Sequence, residues 1–495
     1  MISVRYYTLL LYNMINARVI MRGQLKALFS LLLCVCLLTA CVGQTTSFEE
    51  APETESAGPA ESAPESESET ETETEAVVLT DAELYEPFVP VIRFAVCSDT
   101  HLKKQTDNVE YERLQQLFET AYAYSDAQES YTNLDAVIVA GDLTDSGHQR
   151  ELANFKEVVT TYKREGTQLI TMLGNHEHFN GNLAPYKFTI DQELNKHVVI
   201  NGFHFLALSP DETSNDFSEA AINWLKAELA AAAADAPDKP IFTFQHQHLK
   251  DTVYVSPYWY TGTSDALREA YSPYPQLINF SGHSHGPINH PRSIWQDDFT
   301  TLGTGTLSYF EMEYGATDGT LPVGKENAAQ YYIVEVNADN VVKIQPFNIL
   351  TGEFMKTASN TDDPDTQLVY YIPITGNKDD FVYTAARYES ATAPRFTEDS
   401  GVTVSDLSDT CACISTPQAL DDSCIYSYVL DYVGADGSSG EIVYFSEYYF
   451  EPMPGAAGYT LTGLTPATEY TVTVTPVNAW GINGEPISTT FTTQN

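Results

Sequence analysis

Five apolar runs in this chain end in the same way. Val96-Cys97-Ser98 leads into Asp99-Thr100-His101, Val139-Ala140 into Gly141-Asp142-Leu143-Thr144-Asp145, and Met172-Leu173 into Gly174-Asn175-His176-Glu177. Phe242-Thr243-Phe244 leads into Gln245-His246-Gln247-His248, and Asn279-Phe280-Ser281 into Gly282-His283-Ser284-His285. Short runs of apolar, β-branched and aromatic residues read as buried strands. A polar cluster just past a strand sits at the sheet edge where open α/β folds keep their sites. One such cluster is an ordinary strand-to-loop turn. Five of them bring Asp, Asn and His repeatedly to one edge, and few folds can meet that demand.

The segments between these strands fit the same architecture. Residues 111–124 place Leu114, Leu117, Phe118 and Ala121 on one helical face. Helices are also expected over 149–164 and 218–234. Further strands are expected over 197–208, 241–244, 276–280, 331–336 and 341–346, with 301–306 helping to close the unit. Strands alternating with helices argue an α/β sandwich.

All eleven histidines of the chain lie between His101 and His290, and six of them fall in the five clusters. Neutral imidazole combined with carboxylate suits Mn, Fe or Zn. Residues two apart leaving a strand, as in Asp99/His101 and His283/His285, can address one locus. The ligands are too many for one ion. Two ions sharing a carboxylate make a clamp about 3.5–4 Å wide for phosphoryl displacement, and they acidify a water held between them.

Asp99-x-His101, Gly141-Asp142, Gly174-Asn175-His176-Glu177, His246 and Gly282-His283-x-His285 resemble the five-motif signature of the calcineurin-like metallophosphoesterases, in order and spacing, across residues 90–350. The resemblance implies a four-layer αββα sandwich with a dimetal site at its strand ends. It implies that Asp99, His101, Asp142 and His285 hold one ion, and that bridging Asp142, Asn175, His246 and His283 hold the other. His176 would then contact the phosphate or protonate the leaving group. Asp145 matches the carboxylate that orients this histidine in some members of the family. His246 and His248 both compete for the fourth motif, and His246 is favoured because it directly follows its strand. Asp145 stands where purple acid phosphatases carry a tyrosine ligand, which argues against a tyrosinate-bound iron site. Glu177 is expected to brace its loop, His178 to be a supporting or surface residue, and Cys97 to be a small buried strand residue. The aromatic stretch Tyr254, Tyr258, Trp259, Tyr260, Tyr271, Tyr274 is expected mainly to pack, with a pocket wall as the alternative.

The flanks read differently. Met21-Arg22-Gly23-Gln24-Leu25-Lys26 is a short basic start before an apolar run over 27–38. This is the order of a secretory signal, and the run is too short for the ~20 residues of a spanning helix. Leu38-Thr39-Ala40-Cys41 resembles a bacterial lipobox, with Cys41 as the lipidated first residue after cleavage of 1–40. Residues 41–88 read as an acidic tether: 42–92 hold no Lys or Arg, and 52–75 are almost wholly Glu, Ser, Thr, Pro and Ala. The phosphoesterase-like domain is expected over 89–360 and a connecting segment over 361–391. Residues 392–495 alternate short β-like runs with turns, as in a β-sandwich. Their stretch 461–481 resembles the second half of a fibronectin type III domain, with Tyr470 as its tyrosine corner. Cys411, Cys413 and Cys424 offer one disulfide in an oxidising exterior.

The chain has 25 Lys and Arg against 68 Asp and Glu, a formal net charge of −43. Such a surface is a poor platform for nucleic acid. Two functions from different classes fit. The first is an extracellular, lipid-anchored phosphohydrolase acting on a small phosphorylated mono- or diester, touching the membrane only through Cys41. The second is a surface-binding protein with an inert phosphoesterase-like domain, whose C-terminal domain contacts a glycan or wall component.

Overall fold

Phe94 lies at the centre of the first strand and meets Phe205 and Phe242, two rings from another sheet, edge-on at 5.0 and 4.9 Å. The fold is built around that meeting of two sheets. The computed structural model describes residues 84–313, 321–358 and 366–495. Residues 1–40, Cys41 and most of the acidic tether lie outside this set.

The first half runs β1 (Pro90–Cys97), α1 (Val109–Asp126), β2 (Ala136–Val139), α2 (Gln149–Tyr162) and β3 (Gln168–Thr171). The second runs β4 (Lys196–Ile200), β5 (Phe203–Ala207), α3 (Glu219–Asp235), β6 (Ile241–Gln245), α4 (Ser264–Tyr271), β7 (Leu277–Ser281), β8 (Ile294–Gln296) and β9 (Thr300–Gly303). The chain then returns to the first sheet with β10 (Gln330–Asn337), β11 (Val341–Asn348), β12 (Glu353–Phe354) and β13 (Tyr370–Pro373). One sheet is ordered β12-β11-β10-β1-β2-β3, with β13 also on β11; the other is ordered β4-β5-β6-β7-β9-β8. The pairs β1–β2, β2–β3, β5–β6, β6–β7 and β7–β9 are parallel, so their carboxyl ends share one edge.

Alternate residues of each strand serve different layers. Ile92, Phe94, Val96, Ala136, Ile138 and Ile170 pack inward against Phe205, Phe242, Phe244, Ile278 and Phe280. Ala95, Val137 and Val139 turn outward under Leu114, Leu117 and Phe118 of α1 and Leu152, Phe155 and Val158 of α2. Leu206, Ile241 and Leu277 turn outward under Ile222, Leu225 and Leu229 of α3 and Leu267 of α4. The layers are therefore helix, sheet, sheet, helix. The helices start where capping residues allow it: the side chain of Asn108 accepts from Tyr111 N–H at 3.0 Å, and Ser218 accepts from Ala221 N–H at 3.2 Å.

Several expectations need correction. The single strand expected over 197–208 is a hairpin, β4–β5, that turns at Asn201 and Gly202 with φ of 52° and 77°. Asn-Gly at two positive φ values is the favoured chemistry for such a turn. Residues 84–88, assigned to the tether, are packed down: Tyr85 stacks on Tyr371, and Glu86 pairs with Lys343. Within the connecting segment, β13 belongs to the first sheet. No helix among the described residues is long and apolar enough to cross a membrane.

The tail forms two antiparallel sheets. β14 (Thr403–Ser405), β15 (Cys411–Pro417) and β18 (Ala456–Thr462) make one; β16 (Ile425–Gly434), β17 (Ser439–Phe445), β19 (Glu469–Asn478) and β20 (Ile487–Thr492) make the other. Ile414, Tyr428, Leu430, Leu461, Tyr470, Val472 and Val474 fill the space between them. The Tyr470 hydroxyl accepts from Thr465 N–H at 2.9 Å. Cys411, Cys413 and Cys424 are free thiols, so the expected disulfide is not formed. Cys411 and Cys413 share one strand, whereas Cys424 is buried before the next. The sandwich is not a detached module either: Cys424, Phe445, Tyr448, Tyr449 and Ala479 pack with Phe310, Met312 and Ala328.

Candidate metal centre

The loops that leave β1, β2, β3, β6 and β7 bring their polar clusters together. Three overlapping sets converge, with ligand atoms within 4.8 Å of one another: Asp99, His101 and His285; His101, Asp142 and His176; and Asp142, His246 and His283. Asn175 joins them, its Oδ1 3.0 Å from His246 Nε2. Every residue expected as a ligand is in this cluster. His246 faces it, whereas His248 is turned away between the hydroxyls of Ser281 and Ser284, at 2.7 and 2.6 Å.

The backbone is bent to achieve this. Asp99, His101, Asp142, His283 and His285 have φ of 54°, 47°, 49°, 73° and 53°. Left-handed backbone at a non-glycine residue costs about 1–3 kcal/mol and persists only where the surroundings over-determine it. Here parallel strands and turn glycines do so. A Cβ on Gly174 would stand 2.0 Å from Asp142 Oδ1, and one on Gly282 would stand 2.7 Å from Asp99 Oδ2. Only glycine lets the backbone pass so close to the carboxylates.

Each carboxylate has one oxygen tied and one facing the cluster. Asp99 Oδ2 accepts from Ser98 Oγ and, at 3.0 Å, from His283 N–H. Its Oδ1 is buried, has no hydrogen-bond donor and lies 3.1 Å from His285 Nε2. Asp142 Oδ1 accepts from His176 N–H at 2.9 Å, while Oδ2 lies 3.2 Å from His246 Nε2 and 3.8 Å from both His101 Nε2 and His176 Nε2. The imidazoles are held from behind. His246 Nδ1 donates to the Ala140 carbonyl at 2.8 Å, and His285 Nδ1 donates to the Tyr309 carbonyl at 2.9 Å. In the neutral ring, that tautomer leaves each Nε2 lone pair inward, as metal ligation requires. His101 Nε2 and His285 Nε2 face each other at 3.1 Å.

Electrostatics point the same way. Burial opposes charge on Asp99, but His285, His101 and His246 outweigh it and hold its carboxyl well below the usual range. Asp142 is likewise lowered against burial, chiefly by His246. Burial also opposes a charge on His246, yet Asp142 and Asp99 raise it to about 9. Burial and the His246 charge push His283 down to about 3. Two buried carboxylates thus stay ionised, balanced by protons on imidazole nitrogens. Divalent ions replace such protons directly, because ligation needs carboxylate and neutral imidazole. The orphaned Asp99 Oδ1, the opposed imidazole nitrogens and the donor set fit metal ions.

Around the cluster, Glu177 is a brace. Its Oε1 accepts from Thr144 N–H and Oγ1 at 3.0 and 2.9 Å, and its Oε2 accepts from Gly174 N–H at 2.9 Å. His178 Nε2 reaches the Pro210 carbonyl at 3.0 Å, away from the cluster. Cys97 is fully buried, and burial with the Asp99 charge pushes its thiol pKa up, so it is no nucleophile. Asp145 differs from expectation. His176 Nδ1 donates to its main-chain carbonyl at 2.7 Å, whereas its carboxylate takes the Ser146 hydroxyl at 3.4 Å. The loop turns the carbonyl toward the ring, so the orienting partner is neutral and the nearby charge is that of Asp142.

Three aromatic rings border the histidines. Phe179 packs on His176 with centroids 4.4 Å apart and is 60% exposed. Trp259 meets His283 edge-on at 5.3 Å, and Tyr309 packs on His285 at 4.3 Å and His101 at 5.8 Å. Trp259 belongs to the aromatic stretch noted in the sequence, whose Tyr254 and Tyr271 are buried. Phe179 and Tyr309 carried no sequence signal, because neither belongs to one of the motifs.

Residues 92–287 match the model of a family described as calcineurin-like phosphoesterase. A curated protein of Rhodococcus erythropolis, "Probable cyclic nucleotide phosphodiesterase", is 30% identical over 156 residues, which are 30% of this chain and 50% of that protein. The chain thus spans about half the length of the curated relative it matches. A purple acid phosphatase from yellow lupin seeds is 13% identical, with a TM-score of 0.39 over 53% of this chain and 52% of that one. The fn3 domain of the human collagen alpha-1(XX) chain is 21% identical, with a TM-score of 0.16 over 21% of this chain and 89% of that one.

Proposed function

We propose that residues 92–287, which match the calcineurin-like phosphoesterase model, form a dimetal phosphohydrolase that cleaves a phosphodiester whose leaving group carries a planar ring. The observation that carries the reading is the buried, donor-less Asp99 Oδ1 facing a ring of inward imidazole nitrogens. Asp99, His101, Asp142 and His285 would hold one divalent ion, and Asp142, Asn175, His246 and His283 the other. Such ions supply Lewis acidity toward phosphoryl oxygens and acidify water. The protein's own part is orientation and proton supply. His176 keeps a proton on Nδ1, pinned by the Asp145 carbonyl, and presents Nε2 beside Asp142 Oδ2. There a proton carried on Nε2 is placed to pass to the departing alkoxide. Phe179 and Trp259 flank the two ends of the cluster and offer faces on which a planar leaving group stacks. The base of a cyclic nucleotide, the substrate class in the name of the Rhodococcus protein, is such a planar ring.

We read the C-terminal sandwich as fibronectin type III-like, on the Tyr470–Thr465 corner and the three-plus-four strand arrangement. Its surface is free to meet a glycan or wall component. Secretion and lipid attachment at Cys41 follow from the basic, apolar, Leu-x-Ala-Cys order and are tested by losing membrane retention in Cys41→Ser.

The test of the activity is a chelation experiment. Metal content is measured, then hydrolysis of aryl phosphodiesters and phosphomonoesters is followed before and after chelation, with Mn, Fe or Zn restored. About two ions per chain and a metal-restored rate that is higher for the diester are expected. A folded protein with neither metal nor turnover overturns the proposal.

A further inference from the structure

Residues 307–313 form a strap along the back of the metal cluster. Near its start, the carbonyls of Leu307 and Ser308 accept from Arg113 Nη1 on α1, at 3.1 and 2.7 Å. In its middle the strap holds His285 twice. The Tyr309 carbonyl takes the His285 Nδ1 proton, and Glu311 N–H donates to the His285 carbonyl at 3.2 Å. Its far end is held by the β-sandwich. Glu313 N–H donates to the Tyr254 hydroxyl at 3.1 Å, and that hydroxyl lies 3.0 Å from the hydroxyl of Tyr426 on β16. Phe310 and Met312, fully buried, lie in one cluster with Phe445, Tyr448 and Tyr449 of the sandwich.

The loop that carries His285 is tied to the same place. Asn289 Nδ2 donates to the Tyr448 carbonyl at 2.9 Å. His290 stacks on Tyr254 at 3.9 Å and meets Tyr426 and Tyr448 edge-on. Both the ligand loop and the strap behind it therefore rest on the sandwich. A mere spacer meets its neighbour through a linker and a small polar face. This contact is aromatic, buried and connected by hydrogen bonds to a metal-facing imidazole.

We infer that the C-terminal sandwich is part of the framework of the metal site, and that Tyr426 is a positioning residue for His285, acting through Tyr254 and the strap. The inference rests on the dimetal reading of the cluster. The Tyr254 hydroxyl accepts from Glu313 N–H and shares a hydrogen bond with the Tyr426 hydroxyl, in which either oxygen can donate. Without the Tyr426 oxygen, the Tyr254 hydroxyl loses its partner at 3.0 Å and keeps the Met312 sulfur at 3.9 Å, a weak acceptor. The strap end then loosens, and the His285 ring has to be ordered at the expense of binding an ion. Partners that orient a ligand are typically worth about 10–100-fold in metal affinity when removed directly. Tyr426 acts at a further remove, so the lower end of that range applies.

The test uses the full chain, stripped with chelator and titrated with Mn²⁺ by calorimetry. Tyr426→Phe keeps the ring and the packing. It should weaken one of the two binding events by about 10-fold and leave the other, and the metal-free unfolding midpoint, near wild type. Tyr426→Ala should weaken the same event further. Val433→Thr, at an exposed position on the same strand, should change nothing. Unchanged affinities in a folded Tyr426→Phe overturn the inference. So does an equal weakening of both events together with a lowered metal-free midpoint, which is plain destabilisation. A wild-type chain that binds no Mn²⁺ overturns the dimetal reading, and the inference with it.

Discussion

The side chain of Asp142 and the main chain of His176 are joined directly: Asp142 Oδ1 accepts His176 N–H at 2.9 Å. The residue that faces both candidate ion positions thus also fixes where the candidate acid stands. Metal binding and proton delivery share one carboxylate.

Replacing Asp142 should therefore remove more than a ligand. Asp142→Ala is expected to bind substoichiometric metal and to lose well over the ~100-fold typical of an orienting partner, while circular dichroism stays native. Wild-type turnover in this variant would remove Asp142 from the mechanism.

His176 should separate from the ligands. His176→Ala is expected to keep its metal content and to lose about 10²–10⁴-fold in rate, the usual contribution of a placed acid. The loss should shrink for esters with good leaving groups. Loss of metal instead would place His176 among the ligands.

Gly174 offers a test by addition. The added methyl of Gly174→Ala falls onto Asp142 Oδ1. This variant should lose metal and activity together and unfold at a lower temperature than the metal-loaded wild type, while its circular dichroism stays native. If it retains metal, the close passage of that loop is not required.

Leaving-group selectivity should lie in the rings. An aromatic contact is worth about 0.5–1.5 kcal/mol, so Phe179→Ala and Trp259→Ala should each lower kcat/KM for aryl or nucleoside esters severalfold and leave small alkyl esters alone. Equal effects on both classes would make the rings structural.

The junction predicts a pH dependence. Burial, then the charges of Arg292 and Arg387, push His290 well below its usual pKa. Other charged or titratable groups near it are Tyr254, Tyr426 and Tyr448. The unfolded chain therefore takes up the proton first. The stability contributed is complete above about pH 6.5 and is lost as pH falls below it toward the folded-state value. In His290→Asn the stability–pH slope between pH 6.5 and 5 should flatten by up to about 1.4 kcal/mol per pH unit, one proton's worth. An identical slope would show that other groups carry the acid sensitivity.

The layers and the cluster were legible because they recur: an apolar strand followed by Asp, Asn or His, five times over. Other features depend on atoms that side-chain identity does not announce. His285 is oriented by the Tyr309 carbonyl and His176 by the Asp145 carbonyl, and any residue supplies a carbonyl. Position 145 matched a family pattern, yet the atom in use belongs to the main chain. The β4–β5 turn had its Asn201-Gly202 signature in plain view, but apolar residues on both sides read as one long strand. The docking of the sandwich was hidden because Phe310, Met312, Phe445 and Tyr449 look like ordinary core residues of separate units.

The cluster draws Asp99, His101 and Asp142 from one sheet, and His246, His283 and His285 from the other. Ions bound there would fasten the two sheets across their seam like rivets. Folding and metal supply then become linked variables. Free metal at a hundred times its dissociation constant would add about 2.7 kcal/mol per ion to the folded state. In surroundings poor in transition metals, this protein would be not only idle but shorter-lived.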